Sequence, residues 1–223
     1  MNKIITTLFT VILISIMGTT TAQKAFEGTI IYEIEYEDLP EEMEGYEAML
    51  PKETMMKIKG AKTKTEQNTG MGSTISIYDG DNETSTTLMN MMGNKVAIKM
   101  NKEEMKAQKP EKEPEIIYTE ESKEIAGYPC KKAKITYNED GETLTVFYTE
   151  EINAQKAQSQ YEGLKGFPMQ YEIFNQGIKM IMTVKEVKAE KVAASEFTTP
   201  KDYQTMTMEE FQKMMGGVQS GGQ

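Results

Sequence analysis

The feature that most constrains this chain is a period-two alternation of apolar and polar residues. In the first run, every second position from Ile30 is apolar, giving Ile30, Tyr32, Ile34 and Tyr36 one common face. Because successive side chains of a strand point to opposite faces, this spacing predicts a half-buried strand. Seven further runs repeat the pattern, beginning near Met56, Ile75, Val96, Ala133, Leu144, Met169 and Ile178. The sequence therefore predicts a mainly β fold.

Short turn sequences separate these runs, for example Asp79-Gly80-Asp81-Asn82, Gly93-Asn94, Asp140-Gly141 and Asn175-Gln176-Gly177. Gaps this short join antiparallel neighbours, whereas parallel strands need long crossovers. One polar face per strand indicates that one side of the sheet meets solvent. We expect a single antiparallel domain over residues 23–208, its other face either packed or left as a ligand-holding concavity.

Two short amphipathic helices are expected to cover that concave face. The first begins at Asp38, which forms a capping pair with Glu41. Its apolar side is formed by Leu39, Met43, Tyr46 and Leu50. The second begins at Thr207, with Glu210 as its capping partner, and should stop at Gly216-Gly217.

Two segments are expected to lack regular structure. Residues 101–115 are densely charged and contain Pro110 and Pro114, which is typical of a solvated connector. Within residues 209–223, which also hold the rest of the short second helix, the tail from Gly216 to Gln223 consists of Gly, Ser, Gln and Val and should be disordered.

The first 22 residues have the layout of a cleaved signal peptide. Lys3 precedes an apolar run over residues 4–17, and Thr20 and Ala22 provide the small residues before a cut. The run is shorter than the roughly 20 residues that span a bilayer. We predict cleavage near Ala22, a periplasmic or secreted location and no transmembrane anchor after cleavage. Because no Cys follows the cut, no lipid anchor is expected either.

Composition limits the chemistry that the chain can perform. The sequence has no His, no Trp and one Cys, at position 130. It has no Arg either. Ser–His and Cys–His nucleophile systems and His-based metal sites are therefore excluded. The net charge of -10 disfavours nucleic acid as a partner. We predict a non-enzymatic protein with no catalytic residue, no cofactor and no metal site.

Methionine is conspicuously enriched, with 19 residues. Soft, flexible Met side chains suit a packed core or an adaptable apolar cavity, and paired thioethers can also hold Cu(I). The Met-x-Met pairs are Met89 with Met91, Met180 with Met182 and Met206 with Met208. Tyrosines on the inward faces would complete an apolar pocket. The candidate ligand-lining residues are Ile30, Tyr32, Ile34, Met43, Tyr46, Met89, Met91, Tyr171, Met180 and Met182.

The order of several segments resembles a known group of proteins. These are "FEGTIIYEIEY", "IYDGDNETSTTLMN", "KEIAGYPCKKAKITY", "LKGFPMQYEIFNQGIKMIMTVKEV" and "FTTPKDYQTM". Together they resemble an uncharacterised family of exported Gram-negative proteins, a domain of unknown function with a fold like that of the LolA/LolB lipoprotein carriers. The resemblance implies an antiparallel half-barrel with helices over a concave face that accepts acyl chains. The carriers hold their lid with an arginine, which this chain lacks.

Three functions remain open from sequence. The leading hypothesis is a periplasmic binding or carrier protein for an apolar ligand such as a lipid, an acyl chain or a lipoprotein-like molecule. The first alternative is a Met-based Cu(I)-handling protein. The second is an envelope interaction module whose charged faces meet a protein partner.

Overall fold

A computed structural model describes residues 24–37, 39–40, 43, 45–70, 72–91, 93–109, 112–137, 143–157, 161, 163–175 and 178–220. The predicted signal peptide with its cut near Ala22, the capping pair Asp38 and Glu41, and the Asp140-Gly141 turn lie outside the described residues.

Twelve strands within these ranges form one sheet: β1 (Glu27–Glu37), β2 (Glu53–Lys59), β3 (Lys62–Thr69), β4 (Gly72–Asp79), β5 (Thr84–Met91), β6 (Asn94–Met100), β7 (Glu115–Ile125), β8 (Tyr128–Thr136), β9 (Thr143–Thr149), β10 (Phe167–Asn175), β11 (Ile178–Ala189) and β12 (Gln204–Thr207). Their order is β12-β6-β5-β4-β3-β2-β1-β11-β10-β9-β8-β7. All neighbours are antiparallel except β12 and β6, which are parallel.

The structure confirms the predicted mainly β, antiparallel half-barrel. All eight alternating runs lie in strands, namely in β1, β2, β4, β6, β8, β9, β10 and β11. The other four strands carry few apolar residues or place them side by side, as β7 does at Ile116 and Ile117. In β3, for example, the inward positions are Thr63 and Thr65 rather than aliphatic residues. Pairing with both neighbours holds β3 in the sheet despite this polar sequence.

The inner face of the sheet, defined as the face that carries Ile30 and Tyr32, holds the main core. Ile30, Tyr32 and Ile58 are fully buried there. They pack with side chains from β8 to β11, including Ala133, Val146, Met169, Tyr171 and Met182. Burying this apolar surface is the main force that holds the sheet in its curled form.

A second, smaller core lies on the opposite, outer face. Ile77, Leu88 and Ala97 are buried under Phe197 and Tyr203. These two aromatic residues belong to the outer strap, residues 190–203, which links β11 to β12. Ile77 is therefore buried on the outer face, and its neighbours Ser76 and Tyr78 face inward.

The helices differ from their predicted positions. After Gly45, the described part of the first predicted helix is a single 3-10 turn, Glu47–Met49. A longer helix does not form there because Gly45 has a φ of 85° and Leu50 is extended before Pro51. Residues 101–115, expected to be unstructured, instead contain helix α1 (Lys102–Ala107), which begins with an Asn101 and Glu104 capping box.

Helix α2 (Met208–Ser220) follows β12 directly. Thr207 and Glu210 form the expected capping box, with Thr207 Oγ1 accepting from the Glu210 amide at 3.2 Å. The helix continues through Gly216-Gly217, its predicted end, because Gly weakens a helix without preventing its backbone geometry. No helix among the described residues is both long and apolar enough to cross a membrane.

Candidate functional site

A loop between β9 and β10, residues 150–166, covers part of the inner face and is called the cover loop below. Its described residues run over 150–157, 161 and 163–166. Several of its apolar side chains are buried against the sheet, namely Ile152, Ala154, Ala157, Tyr161 and Leu164. The cover loop therefore covers the inner face, the role predicted for the two helices. Helix α2 packs instead against β6 and β12, at one end of the sheet.

Hydrogen bonds fasten the cover loop at separate points. Thr63 Oγ1 on β3 donates to the Ala157 carbonyl at 2.6 Å, and both residues are buried. The Phe26 amide donates to the Asn153 carbonyl at 2.8 Å. At the far end, Tyr118 Oη on β7 donates to the Gly163 carbonyl at 3.2 Å. The loop is thus held to strands on both sides of β1.

Beneath the cover loop lies a cavity of about 250 Å³. It is lined by Tyr32, Met56, Thr63, Thr65, Ser76, Tyr78, Ala157, Tyr161, Phe167, Pro168 and Tyr171. Strands β4 and β10 both contribute, although β3, β2, β1 and β11 separate them in the sheet. The sheet must therefore curl around the cavity. No charged side chain is among these lining residues.

Three tyrosines pack together at the closed end of the cavity. Tyr32 and Tyr161 each contact Tyr171 edge to face, with ring centroids 5.6 Å and 5.3 Å from it. Burial raises the pKa of Tyr32 and of Tyr161 well above the ordinary value of 10.0. Burial also raises the pKa of Tyr171. All three rings are therefore neutral at physiological pH and present an apolar wall with hydroxyl tips.

The two tyrosines that contact Tyr171 differ in how their hydroxyls are satisfied. Tyr32 Oη donates to the Pro168 carbonyl at 2.9 Å. The Tyr161 hydroxyl is buried and has no hydrogen-bond partner among the described residues.

The end of the cavity opposite the three tyrosines is the open one, because Ser76 on β4 is exposed and Thr65 is half-buried.

The predicted lining residues divide into three groups. Tyr32 and Tyr171 line the cavity. Ile30, Ile34, Met180 and Met182 belong to the packed core or its rim rather than to the cavity wall. The remaining four do not line it: Tyr46 and Met91 are exposed, Met43 lies in the turn before Gly45, and Met89 is half-buried on β5. Close packing fills most of the inner face, so the open space is much smaller than the predicted set implied.

Sequence reasoning missed most of the cavity wall. Thr63, Thr65 and Ser76 are polar, so they do not belong to any apolar face that the alternation predicts. Ala157 and Tyr161 lie in a loop with no periodicity. The available signal for Tyr161 was an aromatic residue in an otherwise polar loop, and aromatic side chains are costly to leave in water.

Two of the Met-x-Met pairs lie in different parts of the sheet. Met89 and Met91 are on β5, whereas Met180 and Met182 are on β11. Strands β4, β3, β2 and β1 separate these two. Among the described residues, no group of three or more Cys, Asp or Glu side chains is placed to hold a metal ion.

A larger hollow of about 550 Å³ lies on the outer face, and it differs in chemistry from the cavity under the cover loop. Ile31 and Met55 form part of its wall, but charged residues share it, among them Glu33, Lys52, Glu53 and Glu66. It is also more open to solvent. This hollow is less suited to an apolar molecule than the inner cavity.

Comparison with known families gives one partial match. Residues 153–203 match the domain of unknown function DUF4412. The matched residues begin within the cover loop, include β10 and β11, and end with the outer strap at Tyr203. The expected resemblance to a domain of unknown function is confirmed over this part of the chain. No curated protein matches the sequence.

Comparison with solved structures finds a similar fold in PNGF-II. One crystal form of PNGF-II gives a TM-score of 0.56 at 16% identity, covering 86% of this chain and 33% of that chain. A second crystal form gives a TM-score of 0.55 at 16% identity, covering 86% and 34%. This chain therefore spans about a third of PNGF-II, and the similarity concerns the fold alone. LprF from Mycobacterium bovis gives a TM-score of 0.33 at 10% identity, over 80% of this chain and 90% of that chain.

Proposed function

We propose that this chain is an exported, non-enzymatic binding protein that holds one small, uncharged, mostly apolar molecule beneath its cover loop. The observation that carries the proposal is the cavity lined by aromatic rings, Met56 and a few hydroxyl groups, with no charged side chain among its described lining residues. Apolar walls with a small number of polar groups are typical of small-molecule sites. The predicted signal peptide supports action outside the cytoplasm.

The size of the cavity limits the size of the ligand that it can hold. At about 250 Å³ it lies just below the usual range of roughly 300–1,000 Å³ for ligand pockets. One ring or one short chain fits this space better than the several acyl chains of a lipoprotein. The proposal therefore keeps the apolar ligand expected from sequence and replaces the lipoprotein-like cargo with a single small molecule.

A fluorescent probe tests the proposal. Indole is small and uncharged, its emission moves to shorter wavelength in an apolar site, and the chain has no Trp to interfere with it. We expect a saturable shift of this emission with the wild-type chain. A Ser76→Phe substitution should block the open end and weaken probe binding at least tenfold.

Thr74→Phe is the matched control for this experiment. Thr74 lies two residues from Ser76 on the same face of β4 and is exposed, but it does not line the cavity. It should leave probe binding unchanged. The proposal is wrong if the wild-type chain gives no saturable signal, or if the two substitutions weaken binding equally.

A further inference from the structure

The charged side chains of strands β2 to β6 all lie on one face of the sheet. The pairings among these strands show no register shift, so the inner face, which carries Met56 and Ser76, takes every second residue of each strand. All the Lys, Glu and Asp residues of the five strands fall on the outer face. Lys57 and Lys64, for example, reach Glu196 of the outer strap. The inner face of β2 to β6 is therefore uncharged, although 27% of the whole chain is charged.

Three hydroxyl-bearing residues cross this uncharged face at the open end of the cavity. Thr65, Ser76 and Thr87 are direct cross-strand neighbours on β3, β4 and β5, and they are called the hydroxyl row below. Neighbouring strands lie about 5 Å apart, so the row is roughly 10 Å long. Thr65 and Ser76 line the cavity, whereas Thr87 is not among its lining residues. The hydroxyl row thus begins in the cavity and leads out of it.

The hydroxyl row can be reached from solvent. Ser76 is exposed, and Thr65 and Thr87 are half-buried. Because β3, β4 and β5 are each paired on both sides, the sheet uses their backbone polar groups, and the accessible polar surface at these positions belongs to the side chains. Within the described part of the chain, none of the three hydroxyls has a hydrogen-bond partner. Their hydrogen-bonding capacity is therefore open to a molecule that lies on this face.

We propose that the hydroxyl row is a binding subsite for the polar end of the ligand, and that this end is uncharged and carries hydroxyl groups of its own. The ligand is then an amphiphile. Its apolar part enters the cavity beneath the cover loop, and its hydroxyl-bearing end lies across β3 to β5. This inference rests on the proposed function, since it assigns a chemical class to the part of the same molecule that lies outside the cavity.

The chemistry of the hydroxyl row favours a hydroxyl-bearing end over a charged or a purely apolar one. A Thr or Ser hydroxyl can both donate and accept a hydrogen bond, which matches groups that do the same, such as a diol. A carboxylate or an ammonium group on the row would lose part of its hydration, and the inner face of β2 to β6 offers it no opposite charge. A hydrocarbon end would cover the three hydroxyls and deprive them of their hydrogen bonds to water.

Three probes with the same hexyl chain separate these kinds of polar end. 1-O-Hexylglycerol ends in an uncharged diol, 1-methoxyhexane ends in an ether without a hydroxyl, and hexanoate ends in a charge. Their affinities for the purified chain can be measured by following backbone amide signals in NMR titrations. The wild-type chain should bind hexylglycerol about threefold to tenfold more tightly than methoxyhexane, the effect of about one neutral hydrogen bond. It should bind hexanoate at least about tenfold more weakly than hexylglycerol.

Thr87→Val tests the part of the hydroxyl row that lies outside the cavity. It should weaken hexylglycerol binding about twofold to tenfold, because one hydrogen bond is lost, and leave methoxyhexane binding unchanged. Thr86→Val is the matched control. Thr86 is also half-buried and precedes Thr87 on β5, but it faces the outer side of the sheet. It should change neither affinity. Unchanged methoxyhexane binding also shows that each variant is folded.

The other outcomes overturn the inference in distinguishable ways. Equal affinities of the wild-type chain for hexylglycerol and methoxyhexane would show that the hydroxyl row does not bind the polar end. Hexanoate binding as tight as hexylglycerol would overturn the uncharged class of ligand. Equal weakening by Thr86→Val and Thr87→Val would show that the inner face is not the one that matters. Binding of indole or methoxyhexane without binding of hexylglycerol would overturn this inference alone. If no probe binds, the proposed function itself fails.

Discussion

Gly80 touches the backbone of Lys156 so closely that no larger residue fits between them. A Cβ atom added to Gly80 would lie 1.8 Å from the Lys156 carbonyl oxygen. Gly80 lies in the turn between β4 and β5, and Lys156 lies in the cover loop. The Lys156 ammonium group also reaches Asp81, with Nζ 3.5 Å from Oδ1. The turn between β4 and β5 therefore contacts the cover loop and holds it in place above the cavity.

Gly80→Ala should displace the cover loop and destabilise the protein. Overpacking of this kind costs about 1–3 kcal/mol. The measurement is the free energy of unfolding from urea denaturation. Gly70→Ala is the matched control, because a Cβ there meets nothing closer than 3.9 Å and should change stability by less than about 0.5 kcal/mol. Equal effects of the two substitutions would contradict a role for Gly80 in positioning the cover loop.

Thr63→Val should weaken the attachment of the cover loop to β3. The substitution keeps the side-chain shape but removes the donor to the Ala157 carbonyl, leaving a buried acceptor unpaired at a cost of about 1–3 kcal/mol. Thr65→Val is the control, since Thr65 lines the same cavity without a bond to the loop among those described. Amide hydrogen exchange at Ala157 should quicken in the first variant and stay unchanged in the second.

The alternation in the sequence predicted the inward face correctly in some strands, such as β1, and not in others, such as β4. In β1 the apolar face is also the inner face, so Ile30, Tyr32 and Ile34 were assigned correctly to the buried side. In β4 the pattern is reversed, because Ile77 packs under the outer strap and Ser76 faces the cavity. Periodicity shows that a strand has two unlike faces. It does not show which tertiary element covers each face.

The candidate site was less predictable than the sheet. Tyr32 and Tyr171 were found because they lie on alternating strands, whereas Tyr161 lies in a loop whose path depends on Thr63 and Gly80. Such anchoring contacts join residues far apart in sequence. No local pattern encodes them.

Acidification should weaken the attachment of the outer strap. Glu196 bridges Lys57 and Lys64 at 2.7 Å and 2.9 Å, and these hydrogen-bonded ammonium groups hold the pKa of Glu196 below its ordinary value of 4.5. Since the folded-state pKa is the lower one, the ionised carboxylate stabilises the fold above pH 4.5. That contribution is lost as the pH falls through the folded-state pKa.

Glu196→Gln measures this contribution. At pH 7 it should lower the free energy of unfolding by at most about 1 kcal/mol, because the pair is partly exposed to solvent. At pH 3 the difference from the wild-type chain should shrink towards zero. Glu209→Gln removes a largely exposed partner of Lys213 and should have no effect at either pH. A difference for Glu196→Gln that grows at pH 3 would contradict the assigned sign.

Cys130 should be inert in the folded protein. The residue is 1% exposed, and burial raises the pKa of its thiol to about 11. At pH 8 it is therefore protonated as well as inaccessible, and thiolate is the reactive form. An aromatic disulfide reagent should label less than a tenth of the thiol in native buffer over minutes, and all of it in concentrated urea. Rapid labelling without urea would show that β8 opens readily.

The central claim is that a small uncharged molecule enters the cavity beneath the cover loop, and two adjacent methionines report on it. Met56 lines that cavity, whereas Met55 is 40% exposed on the outer face and lines the charged hollow there. With ¹³C-methyl-labelled methionine, titration with acetophenone should shift the Met56 signal saturably and leave Met55 unmoved. Saturable movement of Met55 alone, or no movement of Met56 at saturating acetophenone, would contradict the account.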